Sequence, residues 1–277
     1  MRLLDGTSAG TWLLARAGDW ARVDGAAGTG FEAYARVLHP VRAERGDHEE
    51  ARWTWAEVAR RNRRTMHPLV QWRRLTEDET LLEFEDGWRI DQLEEGRLPL
   101  DVLAAIGEHL AAATRTPQEL IAAIWVGHGE LHGSARPYVQ ASTGWPPRVP
   151  GQRAWAHIRA AAMTREERET GAERKRLRRR LRRGPWFAWP GREMLLFATS
   201  SAELMGHAAH LEGITPQMLW PQGREWVLAS EIDWDSTIVA GPRALVDAVL
   251  ADPRLEAVEV PPDADLTWEG DTVNPPR

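Results

Sequence analysis

Residues 225–260, EWVLASEIDWDSTIVAGPRALVDAVLADPRLEAVEV, carry the strongest fold signal in the chain. Glu225 to Asp233 reads as a strand, and Pro242 to Leu250 as a helix whose Leu245, Val246, Val249 and Leu250 fall on one face. Leu255 to Val260 then returns as a second strand, so the stretch is expected to form a β-α-β unit. If the first strand runs on, Glu231, Asp233 and Asp235 share a face, because alternate strand residues point the same way. Three close carboxylates repel unless a cation lies between them, which is either an arginine or a divalent ion; hard oxygen ligands suit Mg²⁺ or Ca²⁺. That arrangement would serve a metal-dependent hydrolase. The competing expectation is that an aspartate at a strand exit caps a turn.

Upstream, residues 1–133 carry helix ends and one hairpin. Thr54 and Glu57 form a capping box with Trp53 and Val58 as its hydrophobic staple, which predicts a helix over Trp55–Asn62. Pro99 opens a second helix with Leu100, Leu103, Ile106 and Leu110 at helical spacing. Thr116, Pro117 and Glu119 look like another helix start, placing Leu120, Ile121, Ile124 and Trp125 on one face of a helix antiparallel to the second. Phe31 to Leu38 reads as a strand. Leu81 to Leu93 reads as a hairpin in which a three-residue loop, Glu85-Asp86-Gly87, pairs Phe84 with Trp88 and Leu82 with Ile90; a two-residue turn would set Phe84 opposite Arg89 and mix apolar and charged side chains on one face.

Between these parts lies a Pro- and Arg-rich segment, 134–192, expected to act as a linker holding a charged helix. Residues 165–183 carry a net charge of +6, against −6 for the whole chain. Arg174, Lys175, Arg176, Arg178, Arg179, Arg180, Arg182 and Arg183 surround Leu177 and Leu181, four residues apart. Such a helix is expected to be solvated, to meet an acidic protein surface, or to track nucleic-acid phosphates. No aromatic residue interrupts the run, and the remaining residues are net acidic, which disfavours nucleic acid.

A third candidate is His128-Gly129-Glu130-Leu131-His132. The spacing is not that of the helical zinc motif, but an extended chain would put His128, Glu130 and His132 on one face as two imidazoles and a carboxylate. The flanking glycines favour a mobile connection instead.

Composition bounds the rest. The 277 residues have 43% hydrophobic side chains, 27% charged side chains and a mean hydropathy of −0.47. No apolar run approaches the roughly 18 residues that a membrane span needs. Without cysteine the chain has no disulfide, thiolate nucleophile or Cys-ligated metal. A cytoplasmic setting and no membrane partner are expected. The 15 tryptophans are expected mainly in the core, with a ligand-stacking surface as the alternative. No nucleophile elbow or phosphate loop is present.

FEAYARVLHP (31–40), DGWRIDQLEEGRLP (86–99) and WPQGREWVLASEIDWDSTIVAGPRAL (220–245) resemble recurring blocks of an uncharacterised family of high-GC actinobacterial proteins. The resemblance implies a bacterial cytoplasmic protein and assigns no role to any position. Taken together, the expectation is an α+β protein with a helical and hairpin part (1–133), a Pro- and Arg-rich linker holding a charged helix (134–192) and a β-α-β part (193–277). Abundant Trp and Arg, both frequent at interface hot spots, point to a non-catalytic protein-interaction or regulatory role. A divalent-metal hydrolase and nucleic-acid association stand as alternatives.

Overall fold

The computed structural model describes residues 1–46, 49–77, 81–132, 165–207 and 214–276. Helices and antiparallel sheets both contribute, giving a mixed α+β architecture. Before the Arg-rich segment come β1 (Arg2–Leu3), α1 (Thr11–Leu14), α2 (Val23–Ala27), β2 (Ala33–Leu38), β3 (Val41–Arg45) and β4 (Glu49–Trp53). They are followed by α3 (Trp55–Arg61), α4 (Trp72–Thr76), β5 (Leu81–Glu83), β6 (Trp88–Asp91), α5 (Leu100–Ala112) and β7 (Leu120–Trp125). The basic helix is α6 (Arg165–Arg183). After it come β8 (Phe187–Trp189), β9 (Arg192–Thr199), α7 (Ser201–His207), β10 (Met218–Pro221), β11 (Val227–Ala229), β12 (Ser236–Gly241), α8 (Arg243–Leu250) and β13 (Glu256–Glu259).

One sheet of nine strands dominates, in the order β1-β9-β7-β10-β11-β12-β2-β13 with β8 on β9. Strands from the 1–133 and 193–277 segments interleave in it. Because side chains alternate along a strand, each inner strand feeds two cores. Ala35, Val37, Ile124, Leu195 and Val239 face α5 and α8. Tyr34, Ala123, Met218, Trp220 and Ile238 face α1, α2 and the chain after β13. This two-sided burial explains the correction at 117–125: the apolar run LIAAIW is not a helix but the central strand β7, between β9 and β10. A short run buried on both faces lacks the alternation that would have marked it as a strand. Thr116 and Glu119 instead close a turn, with the Glu119 amide donating to the Thr116 carbonyl at 2.9 Å.

A second sheet, β4-β3-β6-β5, packs with α3 and α4 on a third core rich in tryptophan: Trp53, Trp55 and Trp72 are buried there. Here the local signals hold. Thr54 caps α3 by accepting from the Glu57 amide at 3.2 Å, which is half of the expected box: the Glu57 carboxylate binds Arg60 and Arg61, and Glu256 accepts from the Trp55 and Ala56 amides. The hairpin has the three-residue loop, with Leu82 opposite Ile90, Gly87 at φ +81° and the Phe84 amide donating to the Trp88 carbonyl. Helix α5 follows Pro99.

The stretch 225–260 departs from expectation in its first half. The strand ends at Ala229, Glu231–Asp235 forms a turn, and residues 236–241 become β12, paired antiparallel with β11. Helix α8 therefore joins β12 to β13, with β2 lying between those two strands. Gly96 fits against this turn: it sits at φ +74°, its amide donates to the Trp234 carbonyl, and a Cβ there would meet the Ile232 carbonyl oxygen at 2.4 Å. Among the described residues no helix is long and apolar enough to cross a membrane. Of the linker expected over 134–192, residues 134–164 lie outside the described residues.

Candidate functional site

The turn after β11 separates the three carboxylates that a strand would have aligned. Glu231 and Asp233 converge on Arg192 at the start of β9: its Nε donates to Glu231 Oε1 at 2.7 Å, and its Nη2 donates to Glu231 Oε2 at 3.3 Å and to Asp233. Arg192 also lies 6.0 Å from the Trp125 ring centroid. The cation between these carboxylates is thus a guanidinium, the other solution open to such a cluster. Asp235 turns away into the protein, so Glu231, Asp233 and Asp235 do not share a face.

Asp235 meets a residue that sequence reasoning missed, the fully buried Arg36 of β2, at 3.9 Å. Arg36 donates from Nε to Ser236 Oγ at 2.9 Å and from Nη1 to the Val70 and Pro68 carbonyls at 2.7 and 3.3 Å, and it lies over the Trp55 ring. Several donors are thereby satisfied without water, as a buried guanidinium requires. Burial pushes the Arg36 pKa down to about 10 and that of Asp235 up to about 6, the latter against the attraction of Arg36. The signal was a lone charge in an otherwise apolar strand, AYARVL. Its partner, some 200 positions away, left no local trace.

His39 extends this network. Thr237 Oγ1 donates to Ser230 Oγ at 3.0 Å, so it accepts from His39 Nε2 at 2.8 Å, which fixes the imidazole tautomer. Nδ1 is then a buried acceptor with no hydrogen-bond partner among the described residues. Burial, with Arg36 and Arg52 nearby, pushes the His39 pKa down to about 3 and keeps the ring neutral. His39 lies beside a cleft of about 780 Å³ between β3, β4 and the start of α5. The arginines on its rim are compensated: Arg52 by Asp101, Arg42 by Glu44 and Glu50, and Arg97 by Glu94.

His128, Glu130 and His132 are not extended. Gly129–His132 forms a 3-10 turn, with the Leu131 amide donating to the His128 carbonyl at 3.1 Å, so the expected common face is absent. The His128 ring packs edge-on against Trp125 at 5.6 Å. The side chains of Glu130 and His132 lie outside the described residues. Among the described residues no group of three His, Asp or Glu is placed to hold a metal ion.

Helix α6 is anchored to the body. Leu181 is buried in the core that also holds Leu103 and Ile106 of α5, and Leu177 packs against that core. Arg176 pairs with Asp5, Arg180 donates to the Asp5 and Pro185 carbonyls, and the Trp186 indole N–H donates to the Arg180 carbonyl at 3.0 Å. At 100° per residue, Lys175, Arg179, Arg182 and Arg183 occupy the side opposite the two leucines, and Arg178 lies on its flank. All five are exposed, and none pairs with a carboxylate among the described residues. They span about 12 Å along the helix. Arg174 also belongs to the run, but its side chain lies outside the described residues.

Compared with known protein families, curated proteins and solved structures, the chain matches none.

Proposed function

We propose that this chain is a cytoplasmic, non-catalytic interaction protein that presents the outer face of α6 to an acidic protein segment. The observation that carries the reading is the five-cation face of Lys175, Arg178, Arg179, Arg182 and Arg183 on a helix fixed by Leu177 and Leu181. A helix already docked loses less conformational entropy on binding than a free one, and its charges speed encounter with an anionic partner. An acidic protein fits better than nucleic acid because the residues outside α6 are net negative and no aromatic side chain lies within the cationic face.

The test is a titration of the full chain with a fluorescent poly-glutamate 20-mer and, separately, a 20-base-pair DNA duplex at low and moderate salt. Binding of the peptide should weaken steeply with salt. Replacing Arg178, Arg179, Arg182 and Arg183 by glutamine should weaken it by about tenfold or more. Unchanged affinity in that variant would sink the proposal, and tighter binding to DNA than to peptide would replace it with the nucleic-acid reading.

A further inference from the structure

A second cleft, of about 430 Å³, opens where β1 and the turn after it lie against α1 and the edge of β10. This falls in the usual size range for small-molecule sites. Leu4, Ile121 and Trp220 supply apolar lining, while Arg2, Ser8, Trp12, Gln222 and Arg224 bring polar groups.

The charge state distinguishes this cleft from the larger one beside His39, whose rim arginines are paired. Neither Arg2 nor Arg224 forms an ion pair or side-chain hydrogen bond among the described residues. The carboxylate in the lining, Asp5, is already engaged by Arg176. The Trp12 ring lies beside two guanidinium groups, Arg16 at 5.3 Å and Arg224 at 5.6 Å from its centroid. Two uncompensated, exposed guanidinium groups beside aromatic and aliphatic surface call for an anion with a planar apolar body.

We propose that this cleft binds a small aromatic anion, its ring against Leu4, Ile121 and the edge of Trp12 and its acidic group held by Arg2 and Arg224. The anion is a carboxylate or a phosphate on an aromatic ring, both of which match the bidentate guanidinium geometry. The site is separate from the cationic face of α6, so one can fail without the other.

Calorimetric titration of the full chain with 2-naphthoate and 2-naphthyl phosphate tests it, with 2-naphthalenemethanol as the neutral analogue. At least one anion should bind with a dissociation constant in the millimolar range or tighter, and the alcohol at least tenfold more weakly. Arg2→Gln and Arg224→Gln should each weaken the anion by about tenfold, the equivalent of one charge-assisted hydrogen bond. Both positions are exposed, so the thermal midpoints of the ligand-free variants should match that of the parent chain. The glutamine variants of α6 should retain full affinity. The preferred anion identifies the acidic group. No binding of either anion, equal binding of the alcohol, or unchanged affinity in the double Arg2→Gln, Arg224→Gln variant would overturn the proposal.

Discussion

Arg36 in β2 and the arginines on the outer face of α6 are the same side chain in opposite circumstances. Arg36 is 1% exposed, and its donors reach Ser236, two carbonyls and Asp235. Arg178, Arg179, Arg182 and Arg183 face solvent with no carboxylate partner among the described residues. Removing the first should disturb the fold, because a buried counter-ion and several acceptors lose their partner. Removing the others should disturb only what binds. An arginine-rich composition therefore says little about function until each guanidinium has been assigned to the interior or the surface.

The largest expected effect is that of Arg36→Met, which should lower unfolding free energy in urea by roughly 3–5 kcal/mol. Adding Asp235→Asn should recover part of the loss, since it removes the stranded carboxylate. A simple sum of the two single effects would break the assignment of Arg36 and Asp235 as a coupled pair.

Next in size is a pH effect within the same network. His39 titrates near 6.5 when unfolded but at about 3 when folded, so acidification protonates the unfolded chain first and stability falls between these values. The loss is on the order of 3 kcal/mol at pH 4 relative to pH 7. Asp235 acts in the other direction: its folded pKa of about 6 exceeds the ordinary carboxylate value of 3.8, so its contribution is fully present below 3.8 and is lost as pH rises through 6. The two oppose each other between about pH 4 and 6. Urea unfolding across pH 4–7 should show Asp235→Asn losing stability on acidification more steeply than the parent, and His39→Gln less steeply. Parallel profiles for all three would remove His39 and Asp235 as the buried titrating groups.

A smaller cost, about 2–3 kcal/mol, is expected for Leu181→Ala, which leaves a cavity where α6 meets the core. The same variant should raise proteolysis within α6. If stability is unchanged, the helix is not held as described, and the outer face of α6 is not presented on a fixed support. The smallest effect belongs to Arg178→Gln with Arg182→Gln, expected to move the unfolding free energy by no more than about 0.5 kcal/mol. A larger loss in thermal or urea unfolding would mean that the outer face also has a structural role.

Legibility in the sequence followed the distance between the groups that decide each element. Thr54 caps α3 by accepting from an amide three residues on, and the 81–93 hairpin takes the register required by Leu82 and Ile90. By contrast, LIAAIW offered no period to separate a strand from a helix, and its conformation depends on neighbours at 194–199 and 218–221. The acidic cluster was visible, and so was its need for a cation. Which cation it takes depends on Arg192, some 40 residues upstream of Glu231, and on the turn that sends Asp235 inward to Arg36.

The sequence by itself determined the Thr54 cap of α3, the hairpin loop and the amphipathic character of α6, because each depends on residues within a turn or two of one another, and its composition excluded cysteine chemistry. Only the tertiary structure decided that strands from both ends of the chain share one sheet, that Arg36 is buried, and that Arg2 and Arg224 flank one cleft. Those outcomes depend on hydrogen-bond pairing and desolvation between segments up to about 200 residues apart, where local propensity carries no information.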